Sequence, residues 1–369
     1  MKIIDVTLTL FAWDDIPATS YNAFTGQFGG DVQLGLLAIE TDEGITGHSF
    51  LGSSMYTATI DAPGLIEKVK PLIMGEDPLE RERLYQRISR ARRWVNLRSI
   101  GAVDIALWDI AGKAAGLPIH ALMGTYRTSV PAYASSAILP SIEAYCEEAA
   151  AYQDAGWTAY KIHPPGRWRE DLDICAAVRK TVGDDTVLML DAAWNYDFSQ
   201  AIKVAHAIEE LGYHWYEDPL ADDDIYGCAR LREKISIPLV ATEWSPGSFG
   251  SFAEWILLKA TDALRGDVAV KGGITPLVKA AHLAEGFGMN LEVHHGGNSI
   301  NNAANLHLIM GIRNCEYFEV LMPAGAHKYG LIEDIEIDGD GLAHAPMGPG
   351  LGVDIDFDLI EKKKVAVVS

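Results

Sequence analysis

No run in the 369-residue sequence approaches the roughly 20 consecutive apolar residues that a membrane span needs, which argues against a helical membrane protein. Cysteine is sparse. Cys146, Cys175, Cys228 and Cys315 stand far apart with no CxxC pair, so neither a disulfide framework nor a zinc knuckle is indicated, and a reducing compartment fits. Positive charge is short: 30 Lys and Arg face 51 Asp and Glu, a net charge of −21 that repels phosphate backbones and anionic membranes alike. Neither nucleic acid nor a membrane is an expected partner. The start, Met1-Lys2-Ile3-Ile4-Asp5-Val6, reads as a strand rather than a secretory signal, and a cytoplasmic location is expected. An anionic substrate would need a site made locally positive by a metal or a few placed cations.

What is present is a globular composition, 49% hydrophobic and 22% charged, with no low-complexity segment. Up to about Phe50 the apolar residues come in short alternating runs, with a hairpin turn at Thr41-Asp42-Glu43-Gly44. From Pro63 the period becomes helical, at Leu65, Ile66, Val69, Leu72 and Ile73, and two further helical stretches reach Gly116. Strands followed by helices predict an α+β module over residues 1–125. After Gly124, β-rich runs alternate with amphipathic helices. The runs are Val130–Ser135, Ala159–His163, Val187–Ala192, Trp215–Pro219, Leu239–Glu243, Asp267–Val270, Leu291–His295 and Tyr317–Leu321. Eight strands and seven helical segments over 126–330 predict an α/β parallel barrel, a TIM-type fold. Residues 331–369 form a Gly- and Asp-rich tail whose Glu361-Lys362-Lys363-Lys364 run reads as a solvated helix end.

Barrel chemistry gathers where strands end, and here those ends are polar: Lys161 and His163, Asp191, Glu217, Glu243, Asp267, His294 and Glu319, from Asp191 on at intervals of roughly 24 to 27 residues. Asp191, Glu217 and Glu243 on successive strands place three carboxylates around one point, which is costly unless a cation is bound. Oxygen-only ligands suit Mg²⁺ better than Zn²⁺. The alternative for any one acid is a cap on the following helix. Asp267 and His294 on neighbouring strand ends make a carboxylate–imidazole pair and a candidate general base, whereas His295, by alternation, is expected on the other face. Lys161 and His163, two apart, are expected to face one cavity, where adjacent cations depress one another's pKa; Lys161 is the expected second base, with His163 positioning substrate, and the alternative is a pair of cations that simply neutralises the acidic cluster.

Together these residues resemble the enolase superfamily and, within it, the mandelate racemase/muconate lactonizing enzyme group. The likeness covers nearly the whole chain. It includes Thr41-Asp42-Glu43-Gly44-Ile45-Thr46-Gly47, the stretch Ala102-Val103-Asp104-Ile105-Ala106-Leu107-Trp108-Asp109-Ile110-Ala111-Gly112-Lys113, Glu217-Asp218-Pro219, and Asp267 with Gly272-Gly273-Ile274-Thr275. The resemblance implies a modified (β/α)7β barrel, a capping domain at the amino terminus and a carboxy-terminal segment returning to that cap. It also implies Mg²⁺ held by Asp191, Glu217 and Glu243, and removal of the proton beside a substrate carboxylate to give a metal-stabilised enolate. Glu319 then hydrogen-bonds the developing oxyanion. Specificity falls to cap loops, Tyr21 to Gly30 and Gly52 to Tyr56, with Tyr21, Phe24 and Asn195 as candidate contacts, and a homo-oligomer is implied.

Two departures stand out. The group's second-strand motif is Lys-x-Lys, and His163 occupies the place of the second lysine; the Asn often found two residues after the first metal ligand is Ala193. Lys271 is out of register with the sixth-strand lysine base of other groups. The leading expectation is an acid-sugar dehydratase; a racemase, epimerase or cycloisomerase on the same enolate is the alternative, and a non-catalytic barrel the remote one.

Overall fold

The computed structural model describes residues 1–369 and opens with three antiparallel strands, β1 (Ile3–Thr19), β2 (Phe28–Thr41) and β3 (Thr46–Leu51). Their alternation buries one face at Val6, Leu8, Leu37 and Ile39. The predicted hairpin joins β2 to β3, with the Thr41 hydroxyl donating to the Ile45 carbonyl at 2.8 Å. Leu65, Val69 and Ile73 are buried in the same cluster, and helices α1 (Arg81–Ile88) and α2 (Leu97–Ala115) follow.

Helix α2 joins the two halves. Asn96 caps it by accepting from the Arg98 amide at 3.1 Å, and Gly116 ends it in the left-handed conformation at φ 66°. Buried from Ser99 to Gly112, the helix packs on β3 and on the second half of the chain. Gly101 permits the approach, because a Cβ there would lie 2.6 Å from the Val268 carbonyl oxygen. Asp104 accepts from the Thr275 amide and Trp108 Nε1 donates to Thr275 Oγ1, each at 2.9 Å.

Eight parallel strands then form the barrel: β4 (Ser129–Ser135), β5 (Ala159–Ile162), β6 (Val187–Asp191), β7 (Trp215–Glu217), β8 (Leu239–Ala241), β9 (Ala263–Gly266), β10 (Asn290–Val293) and β11 (Phe318–Leu321). Their order is β10-β9-β8-β7-β6-β5-β4-β11, so the barrel is nearly closed, with no backbone ladder between β10 and β11. Seven helices cross between them: α3 (Ile142–Asp154), α4 (Trp168–Val182), α5 (Phe198–Glu210), α6 (Ile225–Arg232), α7 (Phe249–Leu257), α8 (Ile274–Gly286) and α9 (Ser299–Gly311). The fold is a (β/α)7β barrel under an antiparallel cap. One strand differs from expectation. The sixth was placed at Asp267–Val270 but runs over Ala263–Gly266, because Asp267 Oδ1 accepts from the Ala269 and Val270 amides at 2.6 and 2.9 Å and folds that segment into a turn.

The barrel interior is layered. Tyr133, Ala159, Met189, Trp215, Val240 and Ala263 pack as an apolar floor. Two residues further along their strands, on the same face, stand Ser135, Lys161, Asp191, Glu217, Thr242 and Arg265. A polar layer thus rests on an apolar one. After the barrel, β12 (Leu342–His344) pairs with β4, helix α10 (Phe357–Lys362) follows, and β13 (Lys364–Val368) lies antiparallel to β1 with Leu8 opposite Val368. The Glu361–Lys364 run is therefore a helix end that passes directly into a strand. No helix is long and apolar enough to cross a membrane.

Candidate active site

A cavity of about 160 Å³ lies between the barrel mouth and the cap. The barrel contributes Asp191, Glu243, Asp267, His163, His294 and His295; cap loops contribute Tyr21, Asn22, Ser53 and Tyr56, and α2 contributes Arg98. Those loops are tied to the barrel. Asn22 Nδ2 donates to the Ala193 carbonyl, Asn298 Nδ2 donates to the Gly52 carbonyl at 2.8 Å, and Tyr21 Oη lies 2.7 Å from the Met322 carbonyl and 2.6 Å from His327 Nε2.

Asp191, Glu217 and Glu243 are buried, and one oxygen from each lies within 4.8 Å of the others. The set fits a hard divalent cation, being all carboxylate and one per strand. Burial pushes the Glu217 carboxyl up to about 8. Burial acts the same way on Asp191, but Lys161 and His163 outweigh it and hold that carboxyl well below its usual range.

His294 Nδ1 lies 2.6 Å from Asp267 Oδ2, and its Nε2 lies 3.1 Å from Glu243 Oε1. Asp267 therefore fixes the ring so that Nε2 faces the acidic cluster. Burial lowers the His294 pKa, but Glu243 and Asp267 more than reverse this and bring it to about 9; a cation held by Glu243 would offset the first of those two charges and so favour the neutral ring that a base requires. Asn305 Nδ2 donates to the His294 carbonyl at 2.8 Å and steadies the backbone after β10.

Lys161 is not where it was expected. Its ammonium is fully buried beneath the cavity, 3.0 Å from Asp191, 3.0 Å from Glu217 and 2.7 Å from Glu319. Burial and Arg265 press its pKa down, yet the carboxylates outweigh them and it rises well above the ordinary value. The geometry places Lys161 as a buried counter-ion to these three carboxylates. His163 does face the cavity, with Nδ1 2.7 Å from the Ser136 carbonyl and Nε2 3.0 Å from Asp191. Glu319 has Oε1 at Lys161 and Oε2 at Arg265 (2.6 Å) and the His295 amide (3.0 Å), so it lies below the cavity rather than on it.

Other placements also differ. His295 lines the cavity because β10 ends at Val293 and strand alternation no longer applies; the Gly297 amide donates to its Nδ1 at 3.0 Å. Tyr21 lines the cavity, whereas Phe24 is 80% exposed and points away, its place taken by Phe28 and Phe50. Asn195 packs on Gly166 outside the cavity, while Ala193 and Trp194, at φ 45° and 64°, line it. Lys271 Nζ donates to the Ser245 carbonyl at 2.6 Å. Sequence reasoning missed Arg265, Arg98, Trp194 and Trp244. Arg265 lies two residues beyond Ala263 on β9, a strand whose sequence signal is masked by the β-rich turn residues after Asp267.

Residues 144–359 match the enolase C-terminal domain-like family, and residues 26–124 match the mandelate racemase/muconate lactonizing enzyme amino-terminal domain. The chain is 31% identical over 338 residues to arabinonate dehydratase of Saccharolobus solfataricus, covering 88% of this chain and 89% of that one. It is 28% identical over 344 residues to D-galactarolactone cycloisomerase of Agrobacterium fabrum, covering 88% and 89%. The crystal structure of D-glucarate dehydratase from Agrobacterium tumefaciens, complexed with magnesium, superposes with a TM-score of 0.90 at 35% identity, covering 99% of this chain and 100% of that one. With both domains matched and the acidic triad facing a His–Asp pair, the chain belongs to the mandelate racemase/muconate lactonizing enzyme family of the enolase superfamily.

Proposed function

We propose that the protein is a Mg²⁺-dependent acid-sugar dehydratase, with Asp191, Glu217 and Glu243 holding the ion. The observation that carries this is the 2.6 Å Asp267–His294 pair with Nε2 turned toward the triad in one cavity. Bound there, the cation supplies Lewis-acid stabilisation of negative charge on a substrate carboxylate. His294 takes the proton beside that carboxylate at Nε2, while Asp267 accepts a hydrogen bond from Nδ1–H and stabilises the imidazolium. His294 then returns its proton to the departing β-hydroxyl, which leaves as water. The cap loops are held over the reacting groups by the Tyr21–Met322, Asn22–Ala193 and Gly52–Asn298 contacts. A second reading, racemisation or cycloisomerisation, rests on His163, which faces the same cavity from β5.

Incubation with a panel of sugar acids in Mg²⁺ and D₂O, followed by NMR, separates these outcomes. Water loss supports dehydration; deuterium uptake with an unchanged molecular formula supports the isomerase; neither result with any acid removes both. Glu217→Gln should lower Mg²⁺ affinity in calorimetry. Asp267→Asn and His294→Asn should each cut the exchange rate, and their double variant should be no slower than His294→Asn alone, because both disable one base.

A further inference from the structure

A second cavity adjoins the first. It lies between cap and barrel, bordered by Arg92, Asn96, Arg98, Ser245 and Lys271. Arg98, Glu243, Trp244 and Val270 line both, so Arg98 borders the catalytic cavity from the cap side. In a chain of net charge −21, this chamber has three cationic side chains and Glu243 as its only acid.

Arg98 is oriented for recognition. Its Nε donates to the buried Asp61 carboxylate at 2.7 Å, and its guanidinium lies 4.7 Å over the Tyr56 ring. Tyr56 packs on Trp244 at 5.9 Å, and Trp244 Nε1 donates to Glu243 at 2.6 Å. One relay of rings therefore fixes Arg98 relative to the triad. The two terminal nitrogens of Arg98 make no hydrogen bond within the protein, and together they form the planar fork that matches a carboxylate.

We infer that Arg98 binds a second anionic group at the far end of the substrate, which makes the preferred substrate a dicarboxylic rather than a monocarboxylic sugar acid. The inference rests on the proposed chemistry for the near carboxylate and adds the far one. Lysine cannot reproduce the fork, so Arg98→Lys should rescue only part of what Arg98→Gln loses.

The test compares glucarate with gluconate, which differ only in the far carboxylate, for α-proton exchange in Mg²⁺ and D₂O. Wild type should favour glucarate. Arg98→Gln should raise its KM by roughly 10- to 100-fold, as expected for losing hydrogen bonds to a charged group, with kcat changed much less and a clearly smaller loss for gluconate. Equal losses for both acids, or wild-type preference for gluconate, overturn the inference while leaving the proton-transfer chemistry standing. If neither acid exchanges, calorimetry with adipate and hexanoate decides independently of turnover: wild type should bind adipate more tightly and Arg98→Gln should erase the difference. Equal binding of the two by wild type overturns the role of Arg98; selective adipate binding without exchange of any sugar acid counts against the proposed function alone.

Discussion

Arg265 stands where Glu217, Glu243 and Glu319 converge, with no exposure to solvent. With Lys161 it sets two fixed positive charges against Asp191, Glu217, Glu243 and Glu319, leaving an excess of acid that a divalent ion would balance. Removing one member of a buried ionic cluster typically costs about 3–5 kcal/mol. Arg265→Met should therefore unfold at lower urea in chelator, and Mg²⁺ should raise its melting temperature by more than it raises wild type's. Equal stability of the two in chelator would refute this role. The acids of the triad were legible because each comes at a strand tip in a repeating unit. Lys161 could be read either as a base or as a counter-ion to the acidic cluster, and sequence alone did not decide between them, since its three carboxylate partners come from different strands and none adjoins it in sequence.

At the scale of elements, α2 shows what pattern conveys and what it hides. Its caps and its continuous apolar character mark a buried helix, but its docking depends on Gly101, Asp104 and Trp108 meeting a segment some 170 residues away. The β-rich residues Val268, Ala269 and Val270 imitate a strand; Asp267 turns them into the loop against which Gly101 packs. Asp104 carries a pH signature. Burial raises its carboxyl from 3.8 to about 6, so folding favours the protonated form: that stabilisation is full below about 3.8 and is lost as pH rises through about 6. Asp104→Asn, which keeps an oxygen for the Thr275 amide, should remove this dependence. Urea unfolding at pH 4.5 and 7.5 should show wild type losing on the order of 2 kcal/mol more than the variant over that interval. Parallel pH profiles would count against it.

For the whole molecule, the barrel was readable from its repeat, since each β/α unit must bury one strand and one helix face in turn. The cap's position over it was not, because contacts such as Tyr21 to His327 link segments far apart in sequence. The charge of −21 surrounds a cavity whose cations lie inside, so an anionic substrate is repelled at long range and attracted only at the mouth. Raising ionic strength from about 10 to 150 mM shortens the screening length to about 8 Å and should lower KM for an anionic substrate. A KM that rises over this range would show that the local cations dominate instead. The pairing of β13 with β1 bears on biogenesis. During synthesis at ~5–20 residues per second, β1 must wait on the order of 20–70 s for its neighbour to emerge. Throughout that interval the nascent chain presents a bare strand edge beside Leu8 and Leu10, a surface on which polysomes could cross-pair and one that a ribosome-bound chaperone would be well placed to cover.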